Sequence, residues 1–194
     1  MATAFSKQER ERIYEGLQDA ALRCVATGGM RHVTVDELAK EAGISKGAFY
    51  GFFDSKEHLF LSMLESMHNE MYGGAERVLD ERVDLCIRER TILAVREVCR
   101  VAEQHNAIAF IREELPLLKR KLPQSMLQAH YCSDEERIRA LVLKMNVRLN
   151  TNIETACAVI RVLLMSVLTR GEVGERYDEA LHLLIEGACD RIIA

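Results

Sequence analysis

A short polar face between residues 45 and 50 carries the side chains of this 194-residue chain best suited to binding another molecule. Apolar residues at helical spacing, namely Ile44, Ala48 and Phe49, mark the inner side of a helix there. The residues left facing outward are Ser45, Lys46, Gly47 and Tyr50. Lys46 can donate to a guanine edge or a phosphate oxygen, the Tyr50 hydroxyl can donate to a phosphate, and Gly47 admits a close backbone approach. The Ala48 methyl, beside this face, can touch a thymine methyl, so the pattern predicts contact with double-stranded DNA.

Two short helices joined by a tight turn are predicted to position this face. Thr34-Val-Asp-Glu37 is a capping box that begins one helix. Ser45 is the N-cap of the next helix, which is predicted to run to about Phe52. Gly43 lies between the two helices and can adopt the positive φ that the turn requires. Two helices, a tight turn and a polar outer face over residues 34–53 are typical of a helix-turn-helix.

Net charge argues against DNA binding unless the positive groups share one face of the molecule. The chain carries a net charge of −4, and residues 1–60 hold eight Lys or Arg against nine Asp or Glu. The helix starts at Thr34 and Lys56 present free N–H groups that favour anions, and His32 is a further phosphate candidate. The acids of the second helix are expected on its other faces; they are Asp36, Glu37 and Glu41. We therefore predict a local positive surface in a chain that is acidic as a whole.

The composition and the helix start and stop signals predict an all-α fold of about nine helices. Helix-favouring residues dominate, with two Pro and no Trp. Capping boxes begin helices at Ser6 and Thr151, and Gly28-Gly29 ends the first helix. Gly73-Gly74 either ends the fourth helix or weakens it, and Pro116 to Pro123 is expected to form a kink or loop. Further helices are expected at about 83–104, 106–115, 124–147, 152–169 and 177–193.

The run from Thr34 to Leu59, TVDELAKEAGISKGAFYGFFDSKEHL, resembles the signature of the TetR family of transcriptional regulators. The shared features are a Thr-capped helix, an Ala-Gly-Ile-Ser turn, a Tyr shortly before Phe, and Ser-Lys-Glu-x-Leu. The resemblance covers about residues 8–60. Gly51 departs from the family pattern by replacing a side chain that often contacts phosphate, and Phe52 stands where a polar aromatic residue is common. These two departures bear on affinity or specificity for DNA.

The resemblance implies a ligand-responsive transcriptional regulator, most often a repressor, that binds a palindromic operator as a homodimer. A small-molecule effector then releases it from the DNA, and no cofactor is implied. The implied architecture is an N-terminal three-helix helix-turn-helix DNA-binding domain, assigned to residues 1–60, and a larger helical effector-binding and dimerisation domain over residues 61–194. Carried over by position, the DNA contacts are Thr34, Ser45, Lys46, Gly47, Ala48, Tyr50 and Lys56.

Two C-terminal helices are the predicted dimer interface. The helix at 152–169 is apolar nearly all round, and a monomer would struggle to hide both it and the apolar stripe at 177–193. A buried core within one chain is the alternative. Candidates for an effector pocket, each of which can also be ordinary core, are Cys99, Phe110, Met126, His130, Met145, Arg161 and Met165. Arg161 either binds an anion there, pairs with an interface acid such as Glu186 or Asp190, or extends to solvent.

The remaining patterns argue against other classes of protein. The single Glu65-x-x-His68 lacks the second copy that a di-iron site needs, and the sequence has no catalytic, metal or nucleotide motif. The six Cys form no Cys-x-x-Cys pair and the polar Met1–Glu9 segment is no signal peptide, so reduced thiols in the cytoplasm are expected, with Cys132 the most exposed. The apolar stretch at 155–168 is interrupted by Arg161 and is too short to span a membrane.

Two other functions fit the same pattern. A helical enzyme or small-molecule carrier with a vestigial DNA-binding head is favoured by Gly51 and by the lack of positive net charge in the first domain. A TetR-like activator would share every feature of the repressor. Substitution of Lys46 and Tyr50 separates a DNA-binding regulator from a carrier, because only the regulator needs their outward side chains.

Overall fold

The computed structural model describes residues 5–104 and 107–194 of the chain. Within these residues there is no strand beyond an isolated bridge between Leu149 and Ile193, and no helix long and apolar enough to cross a membrane. The α-helices are α1 (Lys7–Thr27), α2 (Val35–Glu41), α3 (Lys46–Phe49), α4 (Lys56–Glu81), α5 (Ile87–Gln104), α6 (Ala107–Glu113), α7 (Leu115–Lys121), α8 (Gln124–Lys144), α9 (Ile153–Ser166), α10 (Arg170–Val173) and α11 (Tyr177–Ile192). Three 3₁₀ helices span Met30–His32, Val167–Thr169 and Gly174–Arg176. Nine of these described α-helices have seven residues or more, which confirms the all-α prediction of about nine helices.

One compact unit consists of the residues up to Ser66 together with Ala109–Pro123. Its first helix begins at the predicted capping box, in which the Glu9 amide donates to Ser6 Oγ at 3.3 Å and the Ser6 amide donates to Glu9 Oε2 at 2.8 Å. The fully buried side chains of this unit include Leu17, Met30, Leu38, Phe49, Phe60 and Phe110. The rings of Phe60 and Phe110 stack with their centroids 6.0 Å apart, which joins α4 to α6.

The segment between Pro116 and Pro123 is a helix rather than the kink or loop expected from its prolines. Helix α7 spans Leu115–Lys121 and has Pro116 in its first turn. A Pro is tolerated there because the first amides of a helix have no intrahelical acceptor. Pro123 lies beyond the end of the helix. On α7, Lys121 Nζ donates to Glu57 Oε1 of α4 at 2.8 Å, so the helix is also held by an ion pair.

The second compact unit consists of Met67–Ile108 and Gln124–Ala194. Helix α5 packs against α9 and α11, and the buried residues that they share are Ile92, Val95, Cys99, Leu163, Val167, Tyr177, Leu181, Ile185 and Cys189. Gly73-Gly74 lies inside α4, which continues to Glu81, so the pair does not end the helix. A Cβ at Gly74 would lie 3.1 Å from Glu97 Cγ. The missing side chain therefore leaves room for the Glu97 side chain of α5 against α4.

One side of α9 and α11 is exposed and apolar in the single chain. The exposed residues are Val162 (69 %), Met165 (51 %), Leu183 (63 %) and Leu184 (57 %). On the same two helices Leu163 and Ile185 are buried, so each helix has one buried side and one uncovered side. Contiguous apolar surface of this kind usually marks an interaction site in a water-soluble domain.

The six cysteines divide by burial. Cys86 and Cys132 are exposed, as predicted for Cys132, Cys24 is half-buried, and Cys99, Cys157 and Cys189 are buried. Burial raises the pKa of the Cys99 thiol to about 12 and that of the Cys189 thiol to about 11. Because the thiolate is the reactive form, we expect these two thiols to react slowly at neutral pH.

Candidate nucleic-acid interface

The predicted helix-turn-helix is present, and local hydrogen bonds begin each of its helices. At the start of α2, the Glu37 amide donates to Thr34 Oγ1 at 3.2 Å and the Thr34 amide donates to Glu37 Oε2 at 2.8 Å. Gly43 has a φ of 71°, the left-handed conformation that the turn was expected to require. At the start of α3, the Ala48 amide donates to Ser45 Oγ at 3.2 Å. Hydrogen bonds between residues a few positions apart therefore determine where both helices of the helix-turn-helix begin.

Helix α3 is the candidate reading helix, and its two sides differ in exposure. Phe49 is fully buried, and its ring centroid lies 6.0 Å from that of Phe53. Tyr50, which caps the helix, is 51 % exposed and meets the Phe49 ring edge-on at 5.5 Å. The predicted contact residues in this segment are Ser45, Lys46, Gly47 and Tyr50, all exposed, and the half-buried Ala48. The structure thus brings these predicted residues together on one short helix.

The reading helix is shorter than the sequence predicts. It ends at Phe49 instead of near Phe52, because the chain then forms a tight turn. In that turn the Gly51 amide donates to the Ala48 carbonyl at 3.0 Å and the Phe52 amide donates to the Phe49 carbonyl at 2.9 Å. Hydrogen bonds between residues three apart are common where an α-helix ends.

Arg10 of α1 holds this turn, although the sequence pattern does not single it out. Its Nη2 donates to the Gly51 carbonyl at 3.1 Å, and its guanidinium lies 4.7 Å from the centroid of the Phe52 ring. A cation–π contact at an exposed site contributes about 0.5–1 kcal/mol. The two residues that depart from the family pattern therefore supply the acceptor and the ring that Arg10 uses.

The other predicted DNA contacts lie where α2 begins. Lys56 Nζ donates to the carbonyls of Met30 at 2.9 Å and Val33 at 2.7 Å, so the ammonium group fastens the 3₁₀ turn that precedes α2. His32 is exposed on that turn. The Thr34 hydroxyl donates within its own capping box. The Lys56 charge is thus fixed beside the start of α2, in contact with backbone carbonyls.

Two acids of α2, Asp36 and Glu37, lie in the first turn of that helix, which corrects the expectation that all three acids would lie on other faces. The Glu37 carboxylate accepts from the amide and the hydroxyl of Thr34, because the third residue of a capping box reaches back to the cap. These hydrogen bonds, with a smaller attraction from Lys56, hold the pKa of Glu37 below its usual value. Glu41, by contrast, pairs with Arg23 of α1 at 2.5 Å.

Replacing Gly43 with Ala is expected to lower the free energy of unfolding by about 1–2 kcal/mol, because a Cβ disfavours the left-handed conformation. No atom lies within 4 Å of a Cβ built at this position, so crowding does not contribute. Gly43→Asn should lower the free energy of unfolding by less, since Asn tolerates a positive φ better than Ala does. Gly47→Ala is the matched control, because Gly47 is helical and its nearest neighbour is Ser45 Oγ at 3.9 Å. Urea unfolding followed by circular dichroism measures the change, and an unchanged Gly43→Ala midpoint would contradict it.

Within the part of the chain that the structure describes, the residues predicted to line an effector pocket are spread over several places. Phe110 belongs to the first compact unit, and Met165 is among the exposed residues of α9. Met126 is half-buried on α8. Met145 lines two apolar cavities of about 10 and 20 Å³ in the second unit, which are too small for an organic molecule. Cys99 lines a much larger cleft of about 610 Å³ in the same unit.

His130 and Arg161, the remaining predicted pocket residues, belong to a cluster around Asp134 of α8. The Tyr72 hydroxyl donates to Asp134 Oδ1 at 2.5 Å, and Arg161 Nη2 lies 4.0 Å from Asp134 Oδ2. His68 Nδ1 lies 3.4 Å from Asp134 Oδ1, and the ring of His130 stacks on that of His68 at 5.2 Å. Burial, followed by the charge of Asp134, raises the pKa of Tyr72 well above its usual value. Within the chain Arg161 therefore faces an acid of α8 and is partly exposed, and its pairing with an acid of a second subunit stays a prediction.

Residues 17–63 match a sequence family described as bacterial regulatory proteins of the tetR family. The uncharacterized HTH-type transcriptional regulator YuxN of Bacillus subtilis strain 168 is 31 % identical over 132 residues, which cover 63 % of this chain and 44 % of YuxN. The nucleoid occlusion factor SlmA of Vibrio atlanticus strain LGP32 is 33 % identical over 93 residues, which cover 48 % of this chain and 46 % of SlmA. The chain thus spans less than half the length of each of these two relatives.

Similarity at the level of the fold extends over nearly the whole chain. The crystal structure of a TetR family transcription regulator from Marinobacter aquaeolei VT8 superposes with a TM-score of 0.62 and 18 % sequence identity. The superposition covers 97 % of this chain and 99 % of that one. The arrangement of an N-terminal helix-turn-helix followed by a larger helical region is therefore shared.

Proposed function

We propose that this chain, which belongs to the tetR family of bacterial regulatory proteins, is a transcriptional repressor that binds a palindromic operator as a homodimer. A small-molecule effector would release it from the DNA. We assign DNA binding to residues 1–60, and effector binding and dimerisation to residues 61–194. Such a regulator acts in the cytoplasm, where its operator lies.

The exposed side of α3 is the observation that carries the proposal. Lys46 and Tyr50 are exposed whereas Phe49 is fully buried, so the polar groups of Lys46 and Tyr50 are available to a duplex. Lysine recognises phosphate and guanine, and a tyrosine hydroxyl donates to phosphate. A carrier with a vestigial head would not need a capped reading helix whose C-terminal turn is held by Arg10. The geometry therefore favours DNA binding over that alternative.

Two copies of the reading helix would meet successive major grooves on one side of the duplex. Helix-turn-helix dimers bind half-sites about one helical turn apart, and the two-fold symmetry of the protein makes the operator a near-palindrome. An effector that favours a different spacing of the two helices would weaken binding by the coupling free energy, typically about 1–3 kcal/mol. The symmetry of the operator therefore follows from that of the dimer.

The uncovered apolar side of α9 and α11 supports the dimer, and changing it gives a prediction. Val162→Glu combined with Leu184→Glu is expected to make the protein monomeric and to lower its DNA affinity at least about tenfold, because unpaired charges are costly to bury and a monomer holds one half-site. Sedimentation velocity measures the state of association. Leu143→Glu is the matched control, since Leu143 is 62 % exposed on α8. A double variant that remains dimeric would show that the interface lies elsewhere.

Fluorescence anisotropy with DNA from upstream of its own gene tests the proposed function. We expect specific binding that weakens steeply with salt, because neutralised phosphates release counterions. Adding a small-molecule extract of the source cells should release the DNA. Salt-independent binding, or equal binding to unrelated fragments, would contradict a sequence-specific regulator.

A further inference from the structure

A cleft of about 610 Å³ lies in the second compact unit between the C-terminal half of α4, helix α5 and the first turns of α11. Ligand sites for small molecules commonly measure about 300–1,000 Å³, so its size suits one small molecule. The two apolar cavities inside the helical bundle measure only about 10 and 20 Å³. Of these three cavities, the cleft is the one with room for an effector.

The acids on the walls of the cleft are mostly neutralised by neighbouring arginines. Arg100 makes two hydrogen bonds of 2.6 Å to Glu97. Arg170 donates to Glu103 at 2.7 Å and makes two hydrogen bonds of 2.8 Å to Asp178. These charge-assisted pairs hold three of the lining carboxylates, so those carboxylates do not repel an anion with full charge.

Two other arginines of the cleft wall are left with donors to offer. Arg77 on α4 and Arg96 on α5 are exposed, and within the described part of the chain neither makes a hydrogen bond or an ion pair within 4 Å. Each guanidinium has five N–H donors in a planar fork that matches a carboxylate or phosphate. Glu81 also lines the cleft without such a partner among the described residues. At longer range Arg77 attracts the Glu97 carboxylate and Arg96 attracts that of Asp178, but the N–H donors of both arginines make no hydrogen bond among the described residues.

A buried nitrogen and an apolar wall complete the cleft. His182 lines it, and its Nδ1 is buried without a hydrogen-bond partner among the described residues, while its Nε2 lies 3.6 Å from Glu186 Oε1. A buried polar atom without a partner costs free energy that a ligand can recover. The apolar lining is provided by Val78, Leu93, Cys99 and Leu181. A ligand with one charged end and one apolar end fits both kinds of wall.

We propose that this cleft is the effector site and that it takes an amphipathic organic anion, held by Arg77 and Arg96 through its acidic group and by the apolar wall through its body. The identification as an effector site rests on the proposed regulatory function, whereas the binding of the anion does not. Arg77 lies on α4, the helix that begins at Lys56, directly after the helix-turn-helix. A ligand that ties Arg77 to Arg96 of α5 therefore acts on a helix that also supports the DNA-binding residues.

Isothermal titration calorimetry of the full chain with octanoate tests the binding step. One octanoate per chain is expected, with octanol and octylammonium binding at least about tenfold more weakly, because a charge-assisted hydrogen bond contributes about 1.5–3 kcal/mol. Arg77→Gln combined with Arg96→Gln should weaken octanoate binding by the same factor or more. Arg176→Gln is the control, since Arg176 is exposed outside the cleft and pairs with Glu179 at 3.0 Å. Melting temperatures of all variants should match that of the parent.

Three results would overturn the assignment of the cleft: no saturable octanoate binding, equal binding of octanol, or octanoate affinity unchanged in the double variant. Anisotropy with operator DNA, run on the same preparations with and without octanoate, separates this inference from the proposed function. Octanoate binding without any DNA binding keeps the anion site and removes the regulatory role. DNA binding without octanoate binding keeps the regulator and removes this effector site.

Discussion

Replacing both Lys46 and Tyr50 with Ala is expected to lower the affinity of the dimer for its operator by at least about a hundredfold. A contact with a base edge contributes about 1–3 kcal/mol, and the dimer loses the contacts of both subunits at once. If Lys46 binds phosphate, the loss should extend to all sequences and the salt dependence of binding should become shallower. Anisotropy titrations at several salt concentrations measure both effects.

The fold should survive this double substitution, which makes the loss interpretable. Both side chains are exposed, and substitutions at exposed positions usually change stability within about 0.5 kcal/mol. Arg176→Ala is the charge-matched control, because it removes one positive charge from an exposed site in the second compact unit. If the double variant bound DNA as tightly as the parent, the assignment of the exposed side of α3 as the DNA-contacting surface would be wrong.

Replacing Phe49 with Ala is expected to destabilise the N-terminal unit by about 3–5 kcal/mol, the usual cost of removing a buried aromatic side chain. Phe49 is fully buried, and its ring meets those of Phe53 and Tyr50 at 6.0 and 5.5 Å. Since this ring supports the reading helix from behind, DNA binding should fall with stability. Urea unfolding by circular dichroism and DNA anisotropy are the two measurements.

The loss of stability should depend on how much of the Phe49 side chain the substitution removes. Phe49→Leu keeps most of the buried volume and should cost less than about 1.5 kcal/mol. Phe5→Ala is the aromatic control, because Phe5 is 37 % exposed and touches the turn only through the Phe52 ring at 6.1 Å. An unfolding midpoint of Phe49→Ala equal to that of the parent would mean that the reading helix does not depend on this core.

Features set by neighbouring residues could be predicted from the sequence. The capping boxes at Ser6 and Thr34 and the turn at Gly43 each depend on residues a few positions apart, and all three occur as expected. Pro116 and Pro123 led to a wrong prediction of a kink or loop, because a proline disrupts the interior of a helix but not the first turn, which Pro116 occupies. Local signals therefore fix where helices begin more securely than they fix which segments are helical.

Contacts between distant residues could not be predicted in the same way. Arg10 meets Gly51 across 41 positions and Lys56 meets Met30 across 26, and no spacing rule connects such pairs. The effector candidates stay a prediction for a related reason. An empty volume depends on how side chains from α4, α5 and α11 pack, so a pattern of Met and Cys cannot locate it.

The central claim is that residues 34–56 form a helix-turn-helix that binds specific DNA sequences as part of a dimer. Selection from a pool of randomised DNA duplexes tests this claim most directly. The chain is mixed with the pool, bound duplexes are separated on a gel, and the enriched sequences are determined. We expect a near-palindrome whose half-sites lie about 10 base pairs apart, centre to centre, and no such enrichment for Lys46→Ala/Tyr50→Ala. Retention of all sequences alike, or the same enriched sequence with the double variant, would contradict the claim.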